Sequence, residues 1–268
     1  MGQRTGSLRS QKQRAGPSRA GPPPARARMA GAAARARARA AWERGSAFCG
    51  RCGARNGPPG GASGRRACPR CGARVYPRTD PVALVLVASA CGGFALLVSP
   101  KAMPQAGMFS CVSGFVEQGE SAEAAGRREV LEEAGVAVEL VRLVSSQPWP
   151  RGRGGGCELM LGMVAEARGD GGTGGSGPPR VRVGEELRDA VWASREEVAE
   201  ALGRSGAPES PFRGGSGGGS LWLPPERALA HELLLRWSEG GGPGASPLPR
   251  RSEGGLAGGG GTSSRPRL

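Results

Sequence analysis

The chain of 268 residues has a single histidine, His231, and no apolar run approaching the roughly 20 residues that span a bilayer. One histidine argues against a histidine-based catalytic triad, because a lone His within an amphipathic helix is ordinarily packed or solvated. The longest apolar stretch, Val82 to Val98, is broken by Ser89, Gly92 and Gly93. It predicts two strands joined by a tight turn, and no membrane partner is expected. Acidic residues are nearly missing from the first 44 positions, where ten Arg and Lys12 face only Glu43, a balance of +10 within a total of +14. Placing the excess charge in that arm leaves little reason to expect nucleic-acid binding by the folded body, although the arm adds nonspecific phosphate attraction.

What the chain does hold is 49 glycines and 23 prolines, so much of it cannot bury a core. Residues 1–44 read as a disordered basic arm. Their composition is that of an organelle transit peptide, or equally of low-complexity sequence without an address. Residues 238–268 read as a disordered tail, ending in Pro266-Arg267-Leu268, a degenerate relative of a peroxisomal address. Gly-rich loops are expected at about 151–156, 168–180 and 204–220. Around them lie a strand from Val136 to Val144, a strand from Cys157 to Ala167, a helix from about 195 to 202 opened by a Ser194/Glu197 capping box, and an amphipathic helix following Pro224-Pro225.

Two Cys-x-x-Cys pairs, Cys49/Cys52 and Cys68/Cys71, are separated by fifteen residues. This spacing fits a structural zinc site in which four thiolates close a tetrahedral shell, with two disulfides as the alternative in an oxidising compartment. The ribbon is expected over residues 45–76. Cys91, Cys111 and Cys157 read as core or surface thiols.

The segment from Gly114 to Val136 organises the rest. Ser121 is a candidate N-cap and Gly135 a C-terminal stop, and Glu129, Glu132 and Glu133 at i, i+3 and i+4 share one face of the intervening helix. Such crowding suits a hard divalent cation with oxygen ligands, or else a solvated acidic face. Ala124, Leu131 and Ala134 are the expected apolar side.

The fixed positions Gly114, Glu120, Arg128-Glu129-Val130, Glu132-Glu133 and Gly135-Val136 resemble the Nudix hydrolase signature. With the cysteine ribbon, Tyr76-Pro77-Arg78 and Ser146-Gln147-Pro148-Trp149-Pro150, the chain resembles the NADH pyrophosphatase branch of that family. The resemblance implies an α+β fold, a Nudix α/β/α sandwich with a mixed sheet over residues 77–237, preceded by the small zinc ribbon. It implies Mg(2+) or Mn(2+) held by Glu129, Glu133, Glu186 and the main-chain carbonyl of Ser113, with Glu132 near and Arg128 bracing Glu120. Glu185 competes with Glu186 if the register slips by one. Phe115, Gln147, Pro148, Trp149, Ala230 and Tyr76 of a second subunit would line the dinucleotide pocket, which makes a homodimer expected.

The implied reaction is hydrolysis of the pyrophosphate of NADH or NAD(+) to a nicotinamide mononucleotide and AMP. NAD-capped RNA, ADP-ribose or FAD is the alternative substrate, because Arg151-Gly152-Arg153-Gly154-Gly155-Gly156 departs from the branch after Trp149-Pro150. A silent zinc-ribbon binding protein is the reading from another class, and its expected mark is loss of a helix glutamate.

Overall fold

The computed structural model describes residues 25–61, 63–103, 107–150, 152, 156–168, 177–204 and 221–240. The expected loops, the first 24 residues of the arm, Arg151, Arg153 and the C-terminal tripeptide fall wholly or mostly outside these. Two compact units divide the chain, residues 33–248 and a second comprising 1–32 with 249–268. The following concerns the first.

Strand β3 (Thr79–Ala88) lies at its centre. Its last seven residues are all buried, a run of Val, Ala and Leu suited to a strand covered on both faces. On one side it pairs in parallel with β7 (Cys157–Ala167), from Thr79 opposite Cys157 to Ala88 opposite Glu166. Its other side is shared. The hairpin partner β4 (Phe94–Pro100) meets it only at Val87 and Ala88, and β5 (Val112–Phe115) takes the remainder, Val82 opposite Phe115 through Val85 opposite Val112. Strands β6 (Val138–Trp149) and β8 (Leu187–Ser194) add antiparallel to β7 and β4, giving the order β6-β7-β3-β4-β8.

The two-residue period of β3 divides the core. Ala83, Val85 and Val87 face one layer, with helix α2 (Ala122–Ala134). Leu84, Leu86 and Ala88 face the other, with Phe109, α3 (Arg195–Gly203) and α4 (Leu229–Ser238). The result is a mixed sheet between helical layers, the α/β/α arrangement expected. Each Val or Leu buried there contributes about 1.5–3 kcal/mol relative to exposure.

The helix ends obey the residues at their caps. Ser121 Oγ accepts from Ala124 N at 3.1 Å, and Gly135, at φ 68°, donates to Leu131 O at 2.9 Å. The Ser194/Glu197 capping box opens α3. The apolar side of α2 differs from expectation: Ala125, Gly126, Val130 and Ala134 are buried, Ala124 only partly, and Leu131 is exposed. The helix is turned so that its buried stripe borders the glutamates, with Gly126 against Val85, Met163 and Val141. His231 is packed, its Nδ1 2.9 Å from Pro224 O.

A further difference concerns the arm, of which Ala25–Gly45 forms helix α1. Alanine and arginine are strong helix formers, a preference that reading the stretch as low complexity overlooks. Its C-terminal part is tied to the ribbon. Arg39 donates to Gly64 O at 2.6 Å, Arg66 donates to Gly57 O and Glu43 O, and both guanidinium groups stack on Trp42, at 4.9 and 6.0 Å.

Candidate active site

The four cysteines of the ribbon converge, with all Sγ atoms within 4.8 Å of one another. Cys49 Sγ lies 3.7 Å from Cys71 Sγ, and Cys52 Sγ 3.5 Å from Cys68 Sγ. Tetrahedral coordination with Zn–S near 2.3 Å separates sulfurs by about 3.8 Å, so the set fits zinc. The cysteines are free thiols, not the alternative disulfides. Main-chain amides favour the thiolates: the Cys71 N–H, chiefly, holds the Cys68 thiol down at about 7 despite burial. Cys49 is lowered likewise, first by the Arg51 amide at 3.4 Å. The first strand residues, β1 (Arg66–Ala67) and β2 (Arg74–Val75), close the second half of the ribbon.

The second centre is assembled around α2. Arg128 binds Glu120 through two nitrogens at 2.8 and 3.0 Å, Glu129 Oε1 at 2.8 Å, Glu132 Oε2 at 3.0 Å and the main-chain carbonyl of Phe115 at 2.9 Å. One planar guanidinium therefore joins the loop, β5 and the helix. It holds the Glu120 carboxyl below the ordinary carboxylate range, while the carboxylates push the Arg128 pKa upward. Glu129 goes the other way. Burial raises its pKa, Arg128 opposes the rise, and the charges of Glu132 and Glu186 add to it.

Gly114 makes room for that carboxylate. A Cβ built there would lie 1.8 Å from Glu129 Cδ and about as close to both oxygens. Its neighbour Ser113 pairs with Leu84, so β5 delivers the Ser113 main chain to the same end of α2. Across the helix, residues 182–186 run beside its C-terminus, where Arg182 N donates to Ala134 O at 2.9 Å and Gly184 N to Glu133 O at 2.7 Å. These bonds satisfy carbonyls that the helix leaves over and bring Glu185 and Glu186 alongside. Gly184 is required by space, since a Cβ would lie 2.8 Å from Glu133 O. Lys101 fastens the next residues, its amide donating to Glu186 O and its Nζ to Glu185 O.

Glu129, Glu132, Glu133, Glu185 and Glu186 thus line one open cleft of about 250 Å³. The cleft opens to solvent and has space for hydrated cations. Five carboxylates facing one another without cations are mutually unfavourable. Hard carboxylate oxygens are the donor type that suits magnesium or manganese, while among the described residues only the four cysteines already bring three or more ligand atoms within 4.8 Å of one another. Between the neighbours Glu185 and Glu186, it is Glu186 whose charge bears on Glu129.

The residues expected at the substrate pocket are distributed differently. Phe115, Val82, Met160 and Gln147 form one transverse row over strands β5, β3, β7 and β6. That row spans about 14 Å and shares the sheet face covered by α4, opposite the face of Gly114 and α2. Phe115 is partly open and Tyr76, beside the ribbon, is half exposed. Trp149, at the end of β6, pairs with Glu158, and Pro148 is exposed.

Gln147 proves to be committed elsewhere. It accepts from Leu229 N at 2.8 Å and donates to Arg227 O at 2.6 Å, capping α4 where Ala228 has no capping side chain. Ala230 is buried in the α4 core. Both residues are thus held by α4, Gln147 through its hydrogen bonds and Ala230 through burial. Their positions follow from how α4 docks, which no local motif records. Gly184 and the main-chain bonds of residues 182 and 184 to α2 were missed for a similar reason, the one local sign being a glycine before two glutamates.

The NUDIX domain family model matches residues 78–211, half of the chain. The chain belongs to the Nudix family. This Nudix chain is 38% identical over 225 residues to Nudix hydrolase 19, chloroplastic, of Arabidopsis thaliana, a match covering 73% of this chain and 49% of that protein. It is 36% identical over 199 residues to NAD(P)H pyrophosphatase NUDT13, mitochondrial, of Homo sapiens, covering 74% and 52%. With NAD-capped RNA hydrolase NudC of Deinococcus radiodurans it shares 42% over 131 residues, covering 48% and 44%. The chain thus spans about half the length of the curated relatives it matches. A crystal structure of a NUDIX hydrolase from Nitrosomonas europaea superposes with a TM-score of 0.52 at 20% identity, over 72% of this chain and 90% of that one. The fold is therefore shared.

Proposed function

We propose that this Nudix chain hydrolyses the pyrophosphate of NADH or NAD(+), with water attacking one phosphorus to release a nicotinamide mononucleotide and AMP. The observation that carries the reading is the five-glutamate cleft with Arg128 joining Glu120, Glu129 and Glu132 at its rim. Glu129, Glu133, Glu186 and the Ser113 carbonyl would hold magnesium or manganese, which when bound neutralises the diphosphate and lowers the pKa of water. Glu120 and Arg128 keep Glu129 oriented, and Gly114 lets β5 approach it. One glutamate of the set accepts the proton of the attacking water. The exposed ring of Phe115 can stack one of the bases.

The name of the human relative supports a dinucleotide substrate, and the names of the human and Arabidopsis relatives support an organelle address in the arm. The name of the Deinococcus relative supports a second reading, in which the same pyrophosphate caps an RNA. A homodimer in which Tyr76 reaches the other subunit's pocket completes the proposal. Purified protein is assayed with NADH, NAD(+), ADP-ribose, FAD and NAD-capped RNA under magnesium or manganese, beside Glu133→Gln. Cleavage lost in the variant is expected, with NADH or NAD(+) ranked first. Equal inertness of folded, zinc-loaded wild type and variant would return the reading to a silent binding protein.

A further inference from the structure

The zinc ribbon carries a repeat. Residues 49–55 read Cys-Gly-Arg-Cys-Gly-Ala-Arg and residues 68–74 read Cys-Pro-Arg-Cys-Gly-Ala-Arg. The two segments have one geometry. Gly53 and Gly72 both sit at φ 71°, Cys49 N and Cys68 N each donate to the carbonyl five residues on at 2.8 Å, and Gly53 N and Gly72 N donate back to Cys49 O and Cys68 O at 2.9 and 3.0 Å. Phe48 bridges Arg55 as Ala67 pairs with Arg74. The ribbon is thus two equivalent halves about one metal position, and Arg51, Arg55, Arg70 and Arg74 occupy equivalent places in pairs.

All four arginines are exposed, and none forms an ion pair among the described residues. Residues 45–78 contain seven Arg and no Asp, Glu or Lys, whereas residues 79–237 carry fifteen basic and twenty acidic residues, a balance of −5. Four thiolates on one zinc leave the ribbon at about +5. Phe48 is 64% exposed, the most exposed large hydrophobic side chain among the described residues, and it stands beside Arg55.

We propose that the ribbon binds single-stranded RNA, the four arginines meeting phosphates and Phe48, beside Arg55, stacking a base. Guanidinium groups bind phosphate bidentately, and an exposed ring beside them supplies the sequence-tolerant platform typical of single-strand binding. A duplex keeps its base faces stacked on one another, and an acidic peptide gains nothing specific from a flat ring. The proposal is independent of the reaction assigned to the glutamate cleft.

The test is fluorescence anisotropy of the full chain with a 5′-hydroxyl oligouridylate of about 16 nucleotides, within the site sizes of small single-strand binders. This probe has no pyrophosphate to hydrolyse. Changing Arg51, Arg55, Arg70 and Arg74 together to Gln is expected to flatten the slope of log K against log salt by about 3, at about 0.7 per phosphate contact. Because slopes are compared between proteins sharing the same arm, its contribution cancels. Phe48→Ala is expected to weaken binding about 5-fold to 150-fold with the slope retained.

Both variants should keep one zinc and unchanged NADH turnover. Loss of turnover with binding intact, or the reverse, separates failure of the active-site reading from failure of this one. An unchanged slope, an ineffective Phe48→Ala, or competition by duplex RNA or polyglutamate as strong as by oligouridylate overturns the proposal.

Discussion

Gly114→Ala adds one methyl group at the centre of the site. The added Cβ would stand 1.8 Å from Glu129 Cδ and 2.0 and 2.1 Å from its oxygens. Ordinary contact begins near 3.4 Å, so strand and carboxylate must separate by roughly 1.5 Å. Gly114 itself is buried and paired to Ala83 in the middle of β5, which limits movement of the strand. The side chain of Glu129 must yield. Metal–ligand distances tolerate about 0.2 Å, and a misplacement of about 1 Å costs on the order of 100-fold in rate. Expected outcomes are a drop in kcat/KM of at least about 100-fold for NADH, weaker binding of Mn(2+) by isothermal titration, and a loss of about 1–3 kcal/mol in stability from overpacking.

Gly119→Ala is the contrast. Its φ of 86° is left-handed, yet no atom lies within 4 Å of the added Cβ. It should cost about 1 kcal/mol of stability through conformation alone, with Mn(2+) affinity near wild type. Unchanged kcat/KM and Mn(2+) affinity in a folded Gly114→Ala protein would refute the reasoning that space beside Glu129 governs metal binding.

Arg128→Lys keeps the charge but cannot bind both oxygens of Glu120 while reaching Glu129 and the Phe115 carbonyl, so kcat/KM should fall about 10- to 100-fold, measured as initial rates at saturating metal. Replacing Cys68 with Ser, or treating with a strong chelator, should release one zinc per chain in a colorimetric assay and expose residues 46–76 to proteolysis while the β3-centred sheet persists. Burial raises the Glu129 pKa above its ordinary 4.5, so Mn(2+) affinity should fall with acid at a higher pH than an ordinary carboxylate would show. In metal-free protein the sign is opposite: the contribution of Glu129 to stability is present below pH 4.5 and is lost as pH rises through its raised folded value, which denaturant titrations at several pH values would detect. Gln147→Ala removes the acceptor at Leu229 N and should cost about 1 kcal/mol in urea unfolding, comparable to loss of an N-cap.

Much of the site was legible from local order because its chemistry is local. Glu129, Glu132 and Glu133 share a face by helical geometry, Ser121 and Gly135 bound their helix, and the cysteine pairs need only a tight turn after each half. Strand β7 was read to the residue because a Gly-rich stretch bounds it on each side.

Other features depended on how elements meet. Leu131 is exposed because α2 rolls to place Glu129 beside Gly114, and nothing within the helix reveals that turn. Gln147 caps a helix more than 80 positions away, a contact that no local motif announces. The basic ribbon, seven Arg without an acidic residue over 45–78, stands out only in the fold, because charge density is a property of surfaces and folding assembles the surface. The sequence by itself determined the ligand types, their helical spacing and the strands' alternation. The tertiary structure decided which carboxylates share a cleft, because Glu185 and Glu186 are brought to α2 by main-chain bonds to carbonyls that the helix cannot satisfy itself.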